Sequence, residues 1–284
     1  MTTVVDRSLE VVPFDAPLGA EVRGVDLATD PAGDVVFDIL GAFADHQLLV
    51  FRDQELSDER LLEISEWWGP QYAPPEGIPM LGDEDQAAVV SISNTPGGVA
   101  GEGALPAHTD LQYMPVPLLG AMLYALEVPS SGGDTSWSNL YQAYDELDDE
   151  TKAAIEGVRG VGINPYAGDA TGREIAGGNQ HYTDEVPDFP HPLVRTHPVT
   201  GRKILYFSYF VVSLEGIDDP DEEQELLDRL RAHVDQDHLY FTHRWRPGDL
   251  LVWDNRCTNH KRADFDSSER RVMHRVQIAG TRPF

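Results

Sequence analysis

Short apolar runs rich in β-branched and aromatic residues recur along the whole chain, with turn residues between them. Such runs predict β-strands. They are LEVVPF (9–14), HQLLVFR (46–52), AVVSISN (88–94), LLGAMLYALEV (118–128), KILYFS (203–208), GDLLVWD (248–254) and RVMHRVQIAG (271–280). Many short strands of this kind are typical of a β-sandwich or barrel.

Two segments between the strands have apolar positions at helical spacing instead. SDERLLEISEWWG (57–69) begins with Ser57 as a predicted N-cap, and DPDEEQELLDRLRAHV (219–234) has a proline and acidic residues in its first turn. Both predict helices that pack on a sheet by one apolar side. Residues 166–192 are rich in Gly, Asp, Pro and His without clear periodicity, which indicates a long loop or lid.

The composition indicates one packed domain over residues 1–284. The chain has 41% hydrophobic residues, enough for a substantial core. Its formal net charge of -28, from 49 acidic and 21 basic residues, disfavours nucleic acid and anionic membranes as partners. With Cys257 as its single cysteine the chain cannot form an internal disulfide, and we find no signal peptide or apolar span. We therefore expect a cytoplasmic protein.

The stretch PAHTDLQY (106–113) places a histidine and an aspartate one residue apart. If the backbone is extended there, His108 and Asp110 point to the same face of a strand. Together they would supply two of the three ligands of the 2-His-1-carboxylate site that binds non-haem Fe(II). Taken alone, such a pair is more often a solvated pair or a capping aspartate.

The third ligand must come from elsewhere, and His260 is the best candidate among ten histidines. It follows a predicted buried strand in GDLLVWDNRCTNH (248–260). Six basic residues surround it in a window of twenty, which predicts an anion nearby. They are Arg256, Lys261, Arg262, Arg270, Arg271 and Arg275.

Four motifs of this chain resemble, in order and spacing, the taurine and 2,4-dichlorophenoxyacetate dioxygenases, which depend on Fe(II) and 2-oxoglutarate. They are HTD (108–110), SGGDT (131–135), HRWRPGDLLVWDNRCTNH (243–260) and RRVMHR (270–275). The resemblance runs from LGAEVRGVDL (18–27) through LLVFRDQ (48–54) to the end of the chain.

The resemblance implies a mainly β fold with flanking helices, a double-stranded β-helix, also called a jelly roll or cupin-like fold. It implies that His108, Asp110 and His260 bind Fe(II), and that Arg271 and Thr135 bind the distal carboxylate of 2-oxoglutarate. The implied activity is hydroxylation of an unactivated C–H bond by O2, with release of succinate and CO2. A carboxylate at position 110 argues against halogenation, because family halogenases have a small residue there.

The same resemblance implies that Arg275 binds the acidic group of a small carboxylate, sulfonate, sulfate or phosphonate. Its alternative role is a structural salt bridge. Taurine itself is disfavoured, because Ala104 stands where the taurine enzymes have asparagine, and PQYAPP (70–75) lacks their histidine. Aromatic and apolar candidates for the substrate wall are Tyr72, Leu111, Tyr113 and Phe210, with Tyr209 beside Phe210.

Two other functions remain open at this point. One is a biosynthetic tailoring oxygenase that desaturates or rearranges an amino-acid-derived metabolite. The other is a non-catalytic jelly-roll protein that binds a metal or an organic acid. Family members often form dimers or tetramers, so a homo-oligomer also remains open.

Overall fold

The computed structural model describes residues 9–73, 88–163 and 189–284. Most of the regular structure in these ranges is β-strand, as the recurring short apolar runs predict. The strands are β1 (Glu10–Pro13), β2 (Ala20–Arg23), β3 (Leu48–Phe51), β4 (Val89–Ser93), β5 (Val99–Ala100), β6 (Leu105–His108), β7 (Gly120–Glu127), β8 (Thr135–Asn139), β9 (Arg159–Gly162), β10 (Pro190–Pro192), β11 (Val194–Thr196), β12 (Lys203–Leu205), β13 (Val211–Glu215), β14 (Tyr240–His243), β15 (Leu250–Asp254), β16 (Thr258–Arg262) and β17 (Val272–Ile278).

Helices lie between the strands, and most of the described α-helices begin at a polar capping residue. Those in the described ranges are α1 (Gly33–His46), α2 (Asp58–Ser65), α3 (Leu140–Asp145), α4 (Asp149–Ile155) and α5 (Pro220–Val234), with a short 3-10 helix at Asp237–Leu239. The Ser57 hydroxyl accepts the Arg60 N–H at the start of α2, and the Asp219 carboxylate accepts two N–H groups at the start of α5. Among the described residues, no helix is long and apolar enough to cross a lipid bilayer.

Two mostly antiparallel sheets form a jelly roll. The large sheet has the order β1-β2-β3-β15-β7-β17-β4-β5, and the small sheet has the order β14-β8-β16-β6. Side chains from both sheets share one buried cluster, in which Trp137 of β8 packs with Trp253 of β15 and Met273 of β17. The predicted double-stranded β-helix is confirmed, and the space between its sheets holds the candidate site.

Successive side chains of a strand point to opposite faces of the sheet. The large sheet therefore borders the cluster between the sheets on one face and a second cluster, the outer core, on its other face. In β3, Leu48 and Val50 belong to the cluster between the sheets, whereas Leu49 and Phe51 belong to a second cluster with α1 and α2. The outer face of the large sheet is therefore covered by helices, so that both of its faces are buried. A third cluster joins α3 and α5 to the strands β12 and β13.

The seven predicted strands and the two predicted helices are confirmed, with shorter bounds. The strand expected at 46–52 begins only at Leu48, because His46 still belongs to α1, a helix that the strand pattern missed. Of the loop expected at 166–192, residues 166–188 lie outside the described residues. Its last residues are wrong as a loop, since Pro190–Pro192 form β10 and pair with β9.

Candidate active site

The two predicted histidine ligands lie opposite each other on neighbouring strands of the small sheet. His108 is the last residue of β6, and its register partner is His260 of β16. Their ring centroids are 4.1 Å apart. Asp110 follows in the turn after β6 and is almost fully buried. The fold therefore brings the three residues together from distant parts of the sequence.

The expected extended backbone through Asp110 is wrong. β6 ends at His108, and the chain then turns, with Leu111 in the left-handed region at φ 54°. A non-glycine residue at positive φ is uncommon and marks a tightly specified turn. Asp110 therefore lies in the turn that follows β6, and its carboxylate faces both histidine rings.

The three side chains form a triangle of a size that suits a metal ion. Nε2 of His108 lies 3.5 Å, and Nε2 of His260 lies 3.9 Å, from Oδ1 of Asp110. One ligand atom from each residue lies within 4.8 Å of the other two. Imidazole and carboxylate groups bind a first-row ion such as zinc at about 2.0–2.2 Å, so one ion can reach all three. Two imidazoles and one carboxylate suit Fe(II) and leave further positions open.

Hydrogen bonds orient the metal-facing atoms of the histidine and the turn. Nδ1 of His108 lies 2.8 Å from the carbonyl oxygen of Pro106; a proton donated there leaves the Nε2 lone pair facing the site. The side chain of Asn255 accepts the Asp110 N–H at 2.9 Å and donates to the Asp110 carbonyl at 3.0 Å. This reciprocal pair fixes the backbone that carries the carboxylate.

A second asparagine holds the preceding residue of the same turn. The Thr109 hydroxyl donates to the Asn259 side chain at 2.7 Å, and Asn259 donates to the Phe207 carbonyl at 2.8 Å. Our sequence interpretation missed both Asn255 and Asn259. Their signal was present in DNRCTNH (254–260), where two amides sit among residues expected to be buried.

The electrostatic environment favours the protonation states that a metal site needs. Burial alone would raise the pKa of Asp110, but the charge of His260, a hydrogen bond from His108 and the charge of Arg275 hold it well below its usual range. Burial, reinforced by His108, lowers the pKa of His260 to about 3. A charged carboxylate and a neutral imidazole are the ligand forms. Oδ2 of Asp110 is buried without a hydrogen-bond partner among the described residues, as expected of a ligand.

A cavity between the two sheets, which we call the inner cavity, adjoins the histidines. Its walls include His108, Thr135, Trp137, Trp253, His260, Arg262, Arg271 and Arg275. The Arg271 side chain is 1% exposed, and its Nε donates to the Gly133 carbonyl at 3.3 Å. Its Nη1 has no partner within the described ranges. Burial, together with the charge of Arg262, lowers the pKa of Arg271 to about 9, so the inner cavity favours an anion that compensates this charge.

Four of the six basic residues near His260 have protein partners of their own. Arg256 pairs with Asp254, Lys261 with Asp235 and Arg270 with Glu127, and Arg262 donates to the carbonyl oxygens of residues 100, 102 and 103. Arg271 and Arg275 differ, since each has a buried guanidinium nitrogen without a described partner. Proximity in sequence therefore overstated the local positive charge.

A second cavity, the outer cavity, lies beside Asp110. Its walls include His108, Asp110, Leu111, Gln112, Tyr113, Ile163, Phe210, Arg275 and Gln277. Four predicted substrate residues, Leu111, Tyr113, Phe210 and Arg275, are thus on these walls. Tyr72 is not among them, although its N–H donates to the Gln277 carbonyl at 2.8 Å; Tyr209 is 55% exposed. Sequence reasoning missed Gln112, Ile163 and Gln277, which carry no motif.

Four of the other histidines have structural partners, and the cysteine is buried. His191, His197 and His243 are buried and hydrogen-bonded to Met114, Asp254 and Asp249, respectively. His274 pairs with Asp58, and His181 lies outside the described residues. Cys257 is 1% exposed, and burial raises the pKa of its thiol. The thiol therefore fits the expected small buried side chain rather than a redox-sensitive group.

Comparisons with known proteins agree with this architecture. The family model "Taurine catabolism dioxygenase TauD, TfdA family" matches residues 10–277. The (S)-phenoxypropionate/alpha-ketoglutarate-dioxygenase of Sphingobium herbicidovorans is 33% identical and aligns over 96% of each chain. Pentalenolactone F synthase of Streptomyces arenae is 31% identical over 94% of each chain.

Among solved structures, AAD-2 in complex with Mn(II) and N-oxalylglycine superimposes with a TM-score of 0.79 at 30% identity, over 97% of this chain and 99% of that one. N-oxalylglycine has the 2-oxoglutarate skeleton with NH in place of one methylene. This protein is accordingly a 2-oxoglutarate-dependent dioxygenase that requires Fe(II), 2-oxoglutarate and O2. The length of the family match and the identity to its relatives place the chain in the TauD/TfdA family of dioxygenases.

Proposed function

We propose that this enzyme hydroxylates a C–H bond close to the acidic group of a small anionic substrate, with His108, Asp110 and His260 as the Fe(II) ligands. The supporting observation is that the ligand triad adjoins two cavities, and that each cavity offers a buried guanidinium nitrogen without a described partner. Arg271 contributes it to the inner cavity, and Arg275 lies at the border of both. Two anions can therefore be bound near one metal ion.

In this proposal the inner cavity binds 2-oxoglutarate. The Arg271 guanidinium is charged at neutral pH and planar, so it can bind the distal carboxylate through two parallel hydrogen bonds. The Thr135 hydroxyl lies on the same walls and adds a third. The other end of the molecule, with its keto and carboxylate oxygens, then extends towards the histidines.

The bound Fe(II) supplies the redox chemistry by which O2, 2-oxoglutarate and R–H become R–OH, succinate and CO2. The protein chain positions the reacting groups and excludes water from them. Strands β6 and β16 fix the two imidazoles, and the turn held by Asn255 fixes the carboxylate. Substrate orientation then determines which C–H bond reacts.

The position of Arg275 restricts that choice of C–H bond. Its Nη1 lies 3.8 Å from Oδ1 of Asp110, so an acidic group bound to Arg275 is held close to the ligand triad. The reactive carbon is then expected to be bonded to the acidic group or to lie one bond further away. In this account the contact with Asp110 is compatible with substrate binding, because Nε of Arg275 has no described partner.

The walls of the outer cavity also indicate the chemical character of the part of the substrate that is not acidic. Leu111, Ile163 and Phe210 offer an apolar wall that suits an alkyl or aryl body attached to a carboxylate, sulfonate, sulfate or phosphonate. The relative that acts on (S)-phenoxypropionate supports this class. Taurine is disfavoured, because the described walls contain no acidic side chain besides Asp110 to bind an ammonium group.

A biosynthetic tailoring reaction is the second candidate. It is favoured by the 31% identity to pentalenolactone F synthase over nearly the full length of both chains. The two candidates share the metal, the cosubstrate and the inner cavity. They differ in the size of the molecule that the outer cavity accepts.

We further propose that residues 1–284 form one domain and that the enzyme works in the cytoplasm without nucleic-acid or membrane partners. The net charge of -28 supports the absence of polyanionic partners, and the single cysteine suits a reducing compartment.

The test is a screen for substrate-stimulated succinate release. The protein is loaded with Fe(II) and 2-oxoglutarate, and matched sets of aryl and alkyl carboxylates, sulfates, sulfonates and phosphonates are compared with their uncharged amides. We expect an anionic member to stimulate succinate release and to gain one oxygen atom by mass spectrometry. Asp110→Ala should abolish both signals. Equal stimulation by an uncharged analogue would contradict the role of Arg275, and no succinate with any compound would contradict the proposed reaction class.

A further inference from the structure

The Thr135 hydroxyl is held in one hydrogen-bonding direction by an indole. Nε1 of Trp245 lies 3.0 Å from Oγ1 of Thr135, and both groups are buried. An indole N–H can only donate, so the hydroxyl oxygen must accept in this contact. The single hydroxyl proton of Thr135 is then left to donate elsewhere.

The inner cavity is where that proton can go. Thr135 lies on its wall together with Arg271 and His260. Thr135 forms no other side-chain hydrogen bond to the residues that the structure describes. A buried hydroxyl donor without an acceptor is unfavourable, so a ligand atom that accepts is favoured there.

Trp245 is itself held in place by packing on both sides. Its ring makes an edge contact with His243 at 4.6 Å between centroids, and another with Trp137 at 6.3 Å. His243 is anchored by the Asp249 carboxylate 3.0 Å from its Nε2. The indole therefore has little freedom to turn away from Thr135.

We propose that Trp245 is a positioning residue for cosubstrate binding: its N–H fixes the Thr135 hydroxyl as a donor into the inner cavity and thereby favours a carboxylate there. This inference rests on the proposed function, in which that carboxylate belongs to 2-oxoglutarate. Trp245 acts through Thr135 and needs no contact with the cosubstrate itself. The predicted effect is on 2-oxoglutarate affinity, with the reaction rate at saturation unchanged.

The test is a double-mutant cycle on the full-length protein, read by calorimetric titration of 2-oxoglutarate into the Mn(II)-loaded, oxygen-free protein. Trp245→Phe keeps an aromatic side chain, although a smaller one, and removes the N–H, and Thr135→Val removes the hydroxyl. We expect each single variant to weaken 2-oxoglutarate binding by about three- to tenfold. The double variant should bind no more weakly than Thr135→Val alone, because the indole has nothing left to orient.

Two further variants separate positioning from general damage. Trp68→Phe removes a buried indole N–H that has no described partner and lies in the outer core. The affinity of this variant for 2-oxoglutarate should therefore stay at the wild-type value. Thr135→Ser keeps the hydroxyl and should retain most of the affinity. kcat at saturating 2-oxoglutarate should be unchanged in Trp245→Phe.

The outcomes distinguish this inference from the proposed function. If Thr135→Val leaves 2-oxoglutarate affinity unchanged, the proposed role of Thr135 is wrong, and the role of Trp245 fails with it. If Thr135→Val weakens binding while Trp245→Phe does not, or if the two effects simply multiply, the positioning role of Trp245 alone is overturned.

Discussion

The inner and outer cavities adjoin the same ligand triad but are built from different kinds of structure. The inner cavity takes Thr135 from β8, Trp253 from β15 and His260 from β16, all strands with partners on both sides. The outer cavity also has strand residues, Arg275 and Gln277 of β17, but part of its wall comes from a turn, with Leu111 and Tyr113. Strand positions are fixed by ladder hydrogen bonds, whereas turns can change length and sequence more freely.

This difference suits two separate binding tasks, one for each cavity. In the proposed function, binding of 2-oxoglutarate, which is common to all substrates, belongs to the cavity built mainly from paired strands. Recognition of a particular substrate belongs to the cavity whose wall comes partly from a turn. Separate substitutions on the two sides should therefore have separate effects.

The largest expected effect is a rise in the KM for 2-oxoglutarate, which is proposed to bind in the inner cavity. Arg271→Lys should raise the KM for 2-oxoglutarate by about 10- to 100-fold, because hydrogen bonds to charged groups contribute about 1.5–3 kcal/mol and lysine cannot form the bidentate pair. The KM for the organic substrate should change little. Steady-state succinate formation measures both constants.

Arg270→Lys is the matched control for this change. Arg270 is an exposed neighbour that pairs with Glu127, and both KM values should keep their wild-type levels. An unchanged KM for 2-oxoglutarate in Arg271→Lys would remove the assignment of Arg271.

The next effect should be confined to substrate binding. Arg275→Gln should raise the substrate KM by about tenfold through the loss of a charge-assisted hydrogen bond, with the KM for 2-oxoglutarate within about twofold of wild type. Metal affinity is measured alongside, because the Arg275 charge also lowers the pKa of Asp110. A parallel rise in both KM values would show that the two cavities are not independent.

Acid should loosen the turn that carries the outer cavity. Nε2 of His191 lies 2.8 Å from the Met114 carbonyl next to that turn, and burial lowers the pKa of His191 from 6.5 to about 4. Below pH 6.5 the unfolded chain takes up a proton at this site and the folded protein does not. The contribution of His191 to the free energy of unfolding should then fall by about 1.4 kcal/mol per pH unit until about pH 4.

Chemical denaturation over this pH range measures how the free energy of unfolding depends on pH. His191→Gln should remove the contribution of His191 to that dependence. Hydrogen exchange at the same pH values should increase first in the turn after β6 and later in β8. Equal loss of protection in both would contradict the contrast between the two sides.

The smallest expected effect concerns Gln277. Its side chain is 7% exposed and lies on the outer cavity two residues beyond Arg275, on the same face of β17. Gln277→Leu should raise the substrate KM by about threefold for a substrate with a neutral hydrogen-bonding atom, and not for one without it. Gln224→Leu on the exposed side of α5 serves as the control and should change neither value.

The same contrast explains how much the sequence could predict. Apolar runs predicted the central strands β3, β15, β7 and β17 of the large sheet, because those strands are buried on both faces. The sequences TSWSN of β8 and TNHKR of β16 escaped the strand pattern, because their polar residues face the site or its supports. Thr135 was identified only by the motif resemblance, whereas His260 was proposed from its position after a predicted buried strand among basic residues, in agreement with the resemblance.

Geometry at the ligands was harder to predict. His108 and Asp110 were paired by assuming a strand, whereas a turn with Leu111 at positive φ brings them together. Local spacing cannot reveal that Asn255 holds this turn from a segment far along the chain. The walls contributed by Ile163 and Gln277 depend on tertiary packing and had no sequence signal.

The burial of Cys257 has a practical consequence for experiments on this enzyme. Because it is the single cysteine of the chain and is buried in the cluster that contains α3 and α5, ordinary maleimide reagents should leave the native protein unlabelled. A cysteine introduced at an exposed position, such as Val199, would then be the one reactive thiol. Fluorophores or spin labels could be attached there without first removing the natural residue.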